Sequence, residues 1–188
     1  MVSKMTGKVL NKIVNIKISI AKPEDVREIQ DVFYLAWLDT YPNQELGITV
    51  DDIENRFKDR FSPQKIEKRI EQIRNIYPNH RFLVAKEDEK IVGVCSLAKY
   101  DDYNQLQAIY VLPGYQRHGI GMMFWQIAQT FFAHDKDTIV WVANYNLKAI
   151  EFYKRLGFKE IENLAEEEKI IMKSGAIIHE IKMILPHK

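Results

Sequence analysis

The chain's 188 residues suffice for one domain with a sizeable core and are few for two. Hydrophobic residues make up 46% and charged residues 28%, and a formal net charge of +1 gives no basic field that would attract nucleic acid or an anionic membrane. The sequence contains one cysteine, Cys95, which excludes an internal disulfide and fits a reducing cytoplasm.

The N-terminal segment MVSKMTGKVLNK carries lysines but no continuous apolar core and no small-residue cleavage site, so we predict no signal peptide. No stretch approaches the roughly 18 consecutive apolar residues of a membrane helix. We therefore expect a cytoplasmic protein with no membrane or nucleic-acid partner. Residues 1–12 are expected to form a leader, whose order the sequence leaves open, and residues 13–188 a single domain.

The first half of the chain predicts one strand followed by helices. The run VNIKISI, from Val14, alternates apolar and polar residues and is rich in β-branched side chains, which is typical of a strand. A helix is predicted to begin at Pro23, because proline and acidic residues favour a first turn and apolar residues then recur at helical spacing. Highly charged helices are predicted over residues 49–60 and 63–76, as a solvent-facing layer.

The second half alternates strands and helices. Residues 81–100 hold two β-rich runs joined by an acidic turn, which is typical of a hairpin. Strands are predicted over residues 106–112 and 138–142, with a helix from about Gly119 to Ala133 between them. A short helix then ends at Gly157, and one or two closing strands follow. This order predicts an α/β (α+β) fold, a mixed sheet with helices on both faces.

The segment GYQRHGIGMMFW places two glycines at a turn from strand to helix. The first N–H groups of a helix lack intrahelical partners and carry partial positive charge, so Gly119 and Gly121 permit close approach of a phosphate while Arg117 adds a fixed charge. The alternative is a turn that needs glycine only for packing. The spacing fits neither a dinucleotide-binding fold nor a P-loop.

Two ordered motifs give the chain a family resemblance. The string QRHGIG, residues 116–121, resembles the Gln/Arg-x-x-Gly-x-Gly/Ala motif of the GNAT family of N-acetyltransferases in every defined position. About twenty-five residues later, NLKAIEFYKRLGF, residues 146–158, resembles the family's Asn-x-x-Ala-x-x-Phe-Tyr-x-x-x-Gly-Phe signature. The match is densest over residues 81–158. The resemblance implies a GNAT-like mixed sheet of about six to seven strands in which two central parallel strands splay apart.

The resemblance also implies a site for acetyl-CoA as co-substrate, in the gap between the strands over 106–112 and 138–142, and no metal. Backbone groups of Ile109, Tyr110 and Val111 are the implied partners of the pantetheine arm. The other implied cofactor-binding residues form the pyrophosphate loop and the start of the facing helix: Gln116, Arg117, His118, Gly119, Ile120, Gly121, Met122 and Asn146.

The reaction implied is direct transfer, in which an amine attacks the thioester carbonyl and the CoA thiolate leaves. Tyr153 matches the family position whose hydroxyl serves as the acid for the thiolate, and its ordinary pKa of about 10 keeps it protonated at neutral pH. The alternative is an aromatic residue that only packs the helix on the sheet, as its neighbour Phe152 does.

The general base is not given by the resemblance. Many relatives carry a glutamate where this chain has Gln105 or Trp141, and neither of these side chains takes a proton. A water chain, a carboxylate such as Asp39 or Asp101, or an amine that arrives neutral are the open alternatives, of which we favour water. Cys95 has no basic neighbour in sequence, so a nucleophilic cysteine is not expected.

The acceptor side is implied by the segment AWLDTYP, which resembles a Trp-x-x-Thr-Tyr segment in a subset that includes polyamine acetyltransferases. Trp37 and Tyr41 are four residues apart and share a helix face, and Asp39 could pair with a cationic substrate. The alternative is that Trp37 is core and Asp39 solvated. A polyamine or other small amine is the leading acceptor, and a protein N-terminus or lysine is second.

Two other functions stay open at this stage. One is a non-catalytic acetyl-CoA-binding module that regulates a partner, and the other is an enzyme of the same fold that uses a different acyl-CoA. Relatives are often dimers, so a homodimer also stays open.

Overall fold

The computed structural model describes residues 15–74, 78–161 and 169–187. The predicted leader and the end of the helix predicted to residue 76 lie outside the described residues. Eight strands lie within them: β1 Ile16–Ile20, β2 His80–Glu87, β3 Lys90–Lys99, β4 Asn104–Val111, β5 Thr138–Ala143, β6 Lys159–Glu160, β7 Lys169–Ile171 and β8 Ile177–Leu185. The described helices are α1 Val26–Thr40, α2 Val50–Phe57, α3 Pro63–Arg74, α4 Ile120–Phe131 and α5 Leu147–Arg155.

The strands form one mixed sheet in the order β1-β2-β3-β4-β5-β8-β6, with β7 also paired to β8. Of these pairs only β4 with β5 is parallel, and the others are antiparallel. The predicted mixed α/β sheet is therefore confirmed. Its eight strands, against the six to seven expected, include the two-residue β6 and three-residue β7, which are too short to leave a periodic pattern.

The parallel strands part soon after they meet. They pair only at Asn104 with Thr138 and at Gln105 with Ile139, although both continue for several residues beyond. A β-bulge in β4 lies at that point, because the register against β3 shifts at Gln107. A bulge bends its strand and increases the local twist, so this one turns β4 away from β5. The splayed pair implied by the resemblance is present, and its cause is the bulge.

Helices cover both faces of the sheet. Phe33 of α1 packs against the Tyr110 ring, with ring centroids 5.3 Å apart, so α1 lies on the face that Tyr110 occupies. Val94 pairs with Tyr110, and side chains alternate along a strand, so the neighbouring Gly93 opens onto the opposite face. There a Cβ on Gly93 would lie 3.3 Å from the Phe124 ring of α4. The main core fills both layers.

A buried carboxylate joins α2 to the turn before β8. Asp52 accepts hydrogen bonds from the N–H and the hydroxyl of Thr49 at 3.0 and 2.9 Å, and from the N–H and the hydroxyl of Ser174, both at 2.9 Å. Thr49 caps α2 in return. The backbone N–H of Thr49, followed by that of Ser174, lowers the pKa of Asp52 to about 2.

This depressed pKa predicts a pH-dependent stability. The ordinary pKa of aspartate is about 3.9, so the contribution of Asp52 is fully present above about pH 4 and is lost as the pH falls through about 2. Asp52→Asn should lose that part of the pH dependence. The measurement is the urea midpoint of unfolding between about pH 4.5 and about pH 2.5. Asp51→Asn, a neighbouring exposed aspartate, is the control; equal pH slopes in both variants would refute this role of Asp52.

Candidate active site

The gap between β4 and β5 exposes backbone groups inside the sheet. The N–H of Leu112 donates to Val92 in β3, so the backbone groups of Tyr110, two residues earlier, also face β3. Those of Ile109 and Val111 face the other way, into the gap. Of the three residues implied to pair with a pantetheine arm, Ile109 and Val111 direct backbone groups into the gap, whereas the backbone groups of Tyr110 face β3.

The loop before α4 forms an open cradle of N–H groups. Arg117 and Gly119 both have positive φ angles, 66° and 81°, and no side chain caps α4 at Gly119. The first intrahelical bond there runs from Met123 to the carbonyl of Gly119, which leaves the N–H groups of Ile120 through Met122 without an intrahelical acceptor. Arg117 is exposed at this end, where the helix dipole is positive. The arrangement suits a phosphate or another anion.

The two glycines of the loop serve different purposes. A Cβ on Gly119 would meet nothing within 4 Å, so this position needs glycine only for its φ of 81°. A Cβ on Gly121 would lie 3.2 Å from the Phe152 ring of α5, so this position needs glycine for packing. Packing accounts for Gly121 and backbone conformation for Gly119, and the binding of a phosphate at this turn stays a prediction.

Alanine substitutions should separate the two effects. Gly119→Ala is expected to cost about 1–2 kcal/mol in unfolding free energy, from left-handed backbone strain, and Gly121→Ala about 1–3 kcal/mol, from overpacking against Phe152. Gly114→Ala, in open space without a positive φ, is the matched control and should be near neutral. Urea denaturation measures all three. Gly121→Ala in a Phe152→Leu background should recover part of its loss; no recovery would refute the packing explanation.

Tyr153 lies on α5 with its ring in the core. It packs against the rings of Phe152 and Phe158, and 6% of the residue is exposed. Burial raises the pKa of its hydroxyl well above 10, and the nearby groups of Tyr110 and Cys95 add to the increase. The hydroxyl therefore stays protonated at neutral pH. The ring packs as the alternative reading expects, and the acid role stays a prediction.

Asn146 caps α5 at the far side of the gap. Its Oδ1 accepts a hydrogen bond from the N–H of Ala149 at 3.2 Å, which satisfies one of the free donors of the helix. The side-chain amino group has no acceptor in the described part of the chain and Oδ1 keeps a second lone pair, so both atoms can still contact a ligand. The capping role follows from the sequence position, directly before the helix.

Gln116 connects the loop with two other elements. Its Nε2 donates to the carbonyl of Val111 in β4 and to the carboxylate of Asp39 at the end of α1, both at 3.3 Å. His118 Nδ1 lies 2.8 Å from the carbonyl of Gln116. Asp39 is exposed and lies beside this loop, so the carboxylate expected to pair with a cationic acceptor is on the loop side of the site.

Trp37 and Tyr41 stack on one helix face, as the spacing predicts, with ring centroids 4.2 Å apart. Both are buried, at 6% and 5% exposure, in a second core cluster between α1, α2 and β8. The hydroxyl of Tyr41 lies 3.0 Å from that of Tyr110, and the hydroxyl of Tyr145 donates to the carbonyl of Tyr41. Tyr41 therefore belongs both to the aromatic pair with Trp37 and to a tyrosine cluster, which is made of Tyr41, Tyr110 and Tyr145.

The tyrosine cluster stays protonated. Burial raises the pKa of Tyr41, and the neighbouring Tyr110 and the charge of Glu180 on β8 raise it further. Burial also raises the pKa of Tyr110, and it raises that of Tyr145 to about 12 with a contribution from Glu180. The sequence analysis did not identify this cluster or Glu180. Tyr145 directly precedes the second motif, but the place of Glu180 depends on β8 pairing with β5, which no local pattern shows.

A cleft of about 520 Å³ opens on the α1 face, between α3 and strands β2 to β4. It is lined by aromatic, cationic and amide side chains, including Phe33, Arg69, Phe82 and Gln107. Trp37 and Tyr41 are not among its lining residues. Sequence reasoning missed this cleft, because its walls come from elements far apart in the chain.

Comparison with known proteins adds a decisive observation. The sequence matches the acetyltransferase (GNAT) family over residues 48–158, which is more than half of the chain. The chain belongs to the GNAT family. The match takes in both motifs and most of the strands around the gap, so the resemblance drawn from QRHGIG and NLKAIEFYKRLGF is confirmed.

Individual GNAT relatives are distant. An uncharacterised N-acetyltransferase from Chlorobaculum tepidum is 29% identical over 108 residues, which cover 57% of this chain and 64% of that protein. The match thus spans less than two thirds of that relative's length.

Two solved structures share the fold. PaiA N-acetyltransferase from Thermoplasma acidophilum, in complex with coenzyme A, has a TM-score of 0.71 at 20% identity and covers 92% of this chain and 99% of its own. The protein yncA from Salmonella typhimurium, with its cofactor acetyl-CoA, has a TM-score of 0.56 at 18% identity, covering 93% and 95%.

Other features of this GNAT chain bear on the open alternatives. Cys95 is fully buried and burial raises the pKa of its thiol, which leaves no thiolate for a nucleophilic role. Asp101 is exposed in the turn between β3 and β4. Among the described residues, none of the helices combines the length and apolar character needed to cross a membrane.

Proposed function

We propose that this GNAT protein is an acetyl-CoA-dependent N-acetyltransferase that transfers the acetyl group directly to a primary amine of a small molecule. The observation that carries the proposal is the gap between β4 and β5, which has the uncapped start of α4 at one end and Tyr153 beside it. The co-substrate supplies an acetyl group activated as a thioester. The gap and the start of α4 would also serve a regulatory binding module or a different acyl donor, and it is the tyrosine at position 153 that favours the transferase.

The residues present fit the donor. The free N–H groups of Ile120, Gly121 and Met122 and the exposed Arg117 provide an anion cradle for a pyrophosphate. Backbone groups of Ile109 and the N–H of Val111 can pair with an extended amide-containing chain, as an added strand would, while the Val111 carbonyl accepts a hydrogen bond from Gln116 Nε2.

The chemistry requires one bond from the amine nitrogen to the carbonyl carbon and loss of the carbon–sulfur bond. A backbone N–H of β4 directed into the gap stabilises the developing oxyanion, a contribution of about 3 kcal/mol in comparable sites. The Tyr153 hydroxyl gives its proton to the leaving sulfur. Burial weakens Tyr153 as an acid, but the same low-dielectric surroundings raise the proton affinity of the thiolate, so the transfer remains favourable.

The amine must lose a proton, and neither of the two positions where relatives carry a glutamate can take it. Gln105 and Trp141 do not titrate in the required range, and the raised pKa values of Tyr41 and Tyr110 keep them from acting as phenolates near neutral pH. We therefore assign this proton to water, with the paired hydroxyls of Tyr41 and Tyr110 as hydrogen-bonding partners along the way.

The acceptor is a small amine in this proposal, and the polyamine hypothesis is its most specific form. The stacked Trp37 and Tyr41 support an aromatic wall on the acceptor side. Asp39 gives weaker support to a polyamine than this aromatic pair does, because its carboxylate accepts a hydrogen bond from Gln116 on the loop side of the site. A protein N-terminus or lysine is the second class of acceptor. The buried thiol of Cys95 supports a reducing, cytoplasmic location.

The experiment is release of free CoA from acetyl-CoA with a panel of amines, with the acetylated product identified by mass spectrometry. The panel contains spermidine, alkylamines, amino acids and a lysine peptide. We expect turnover with at least one small amine. Tight acetyl-CoA binding without turnover on any amine would refute the enzymatic proposal and favour the regulatory module, and gel filtration in the same series would test the homodimer.

A further inference from the structure

The cleft on the α1 face contains an unusual cation. Arg69 of α3 is half-buried, with its guanidinium carbon 4.8 Å from the centre of the Phe33 ring and 5.4 Å from that of Phe82. Its polar partners are neutral amides: Nε donates to Gln30 Oε1 at 3.3 Å and Nη1 to Gln72 Oε1 at 2.8 Å. In the part of the chain that the structure describes, no carboxylate forms an ion pair with it.

Burial of this guanidinium is energetically costly. It lowers the pKa of Arg69 to about 10, and burial is the cause, with no compensating negative charge. A buried cation is normally paired with an anion, because desolvation of an isolated charge is unfavourable. Arg69 opens onto a cleft of about 520 Å³, which is large enough for a small organic ligand. The missing counter-charge is thus one that a ligand in the cleft can provide.

The charge balance of the cleft points the same way. Lys68 and Arg69 line it against a single acid, Glu71, and Arg81 also borders it. The Arg81 guanidinium lies 4.9 Å from the Phe131 ring of α4, on the opposite face of the sheet, so Arg69 is the cation held at the cleft wall by packing. A polycation such as a polyamine would be repelled here, whereas a carboxylate can accept two parallel hydrogen bonds from a guanidinium.

The cleft extends to β4, the strand that borders the gap between β4 and β5. Ala108 lines it and directly precedes Ile109, whose backbone faces the gap, and Phe33 lines it and contacts Tyr110. Between Phe82 on β2 and Ala108 on β4 lie two strand spacings, about 10 Å. Along this length the cleft is lined by the rings of Phe33 and Phe82 and by the side chain of Ser96. This part of the lining is mainly apolar.

We propose that this cleft binds the acceptor, and that the acceptor is an amine carrying a carboxylate about 10 Å from its nitrogen, bound by Arg69. The proposal rests on the acetyl transfer proposed above and narrows its substrate class to amino acids with an extended apolar stem, or short peptides of that reach. The amine lies at the β4 end of the cleft, and the carboxylate lies beside Arg69.

The test compares two amines of equal length. 8-Aminooctanoate carries charged ends on the order of 10 Å apart when extended, and octylamine lacks the carboxylate. We expect a kcat/KM for 8-aminooctanoate about 10- to 100-fold above that for octylamine, the effect of one charge-assisted hydrogen-bonded contact. Arg69→Gln should abolish this preference, with a larger loss for 8-aminooctanoate than for octylamine, and Arg69→Lys should retain part of it.

Arg74→Gln is the matched control, because Arg74 is an exposed arginine on the same helix and does not line the cleft. Its preference should equal that of the wild type. Thermal unfolding and acetyl-CoA affinity of each variant identify a folding defect. Equal rates for the two amines in the wild type, or equal losses for both in Arg69→Gln, would overturn the proposal.

The binding measurement separates this inference from the proposed activity. If no amine in the panel is acetylated, the proposed transfer fails, and calorimetry of 8-aminooctanoate in the presence of CoA then tests the cleft directly. Binding by the wild type that Arg69→Gln loses supports a carboxylate site at Arg69. Absence of binding, or binding that Arg69→Gln leaves intact, overturns it.

Discussion

Tyr153→Phe is expected to lower kcat about 100- to 1,000-fold while the affinity for acetyl-CoA and the folding stability change little. The ring that packs on Phe152 and Phe158 remains in the variant, and only the hydroxyl is lost. Since burial keeps that hydroxyl protonated, it can give a proton to a leaving thiolate, and phenylalanine cannot. Steady-state rates of CoA release and equilibrium binding of acetyl-CoA measure the two quantities separately.

Tyr103→Phe is a suitable control for this prediction. Tyr103 lies in the turn before β4 with its ring against Tyr100, and it takes no part in the site. Its loss of a hydroxyl should leave kcat within about twofold of the wild type. Wild-type kcat in Tyr153→Phe would contradict the acid role and leave Tyr153 as a packing residue. A reduced kcat with an equal loss of acetyl-CoA affinity would point to a binding role instead.

The second large effect concerns the attachment of α4 to the sheet. Phe124 is fully buried on the face of α4 that covers β3, next to Gly93. Phe124→Ala should lower the free energy of unfolding by about 3–5 kcal/mol, because it removes a large apolar side chain and leaves a cavity. Gln126→Ala, on the exposed side of the same helix, should change it by less than about 0.5 kcal/mol. Urea denaturation measures both.

Gly93 provides the complementary test of this contact. A Cβ there would lie 3.3 Å from the Phe124 ring and 3.2 Å from the Tyr110 carbonyl oxygen, so Gly93→Ala should cost about 1–3 kcal/mol. In the Phe124→Ala background the added methyl enters the cavity, and the double variant should be more stable than the sum of the single effects by at least about 0.5 kcal/mol. Additive effects would mean that the carbonyl of Tyr110, and not the Phe124 ring, excludes the methyl.

The elements that the sequence predicts well are those with local signals. The strand before the loop, the start of α4 near Gly119, and the end of α5 at Gly157 each follow from proline, glycine or helical periodicity within a few residues. The family resemblance was equally local, because both of its motifs are continuous strings. Chain order then sufficed for the mixed sheet with helices on both faces.

The rest depends on contacts between distant segments. The bulge at Gln107 exists only in the register of β4 against β3, and no residue type in the strand marks it. Spacing along α1 suggested that Asp39 faces the acceptor. Its actual position beside Gln116 depends on how α1 crosses the sheet, which the sequence does not show. The cleft around Arg69 is invisible to a linear reading for the same reason: α3, β2 and β4 meet only in the fold.

The bulge that opens the sheet has a consequence for aggregation. Unpaired strand backbone at the rim of a sheet is a template on which other chains can add. Here the backbone of Ile109 and Val111 pairs with no strand on the gap side, but it lies in the interior of the sheet, because β5 beyond the gap stays paired with β8 along its whole length. An opening between two strands of one sheet is too narrow for a folded neighbour to enter edge-on. The gap thus leaves hydrogen-bonding backbone groups accessible to an extended ligand, but it does not present them as a strand edge on which another copy of the chain could add.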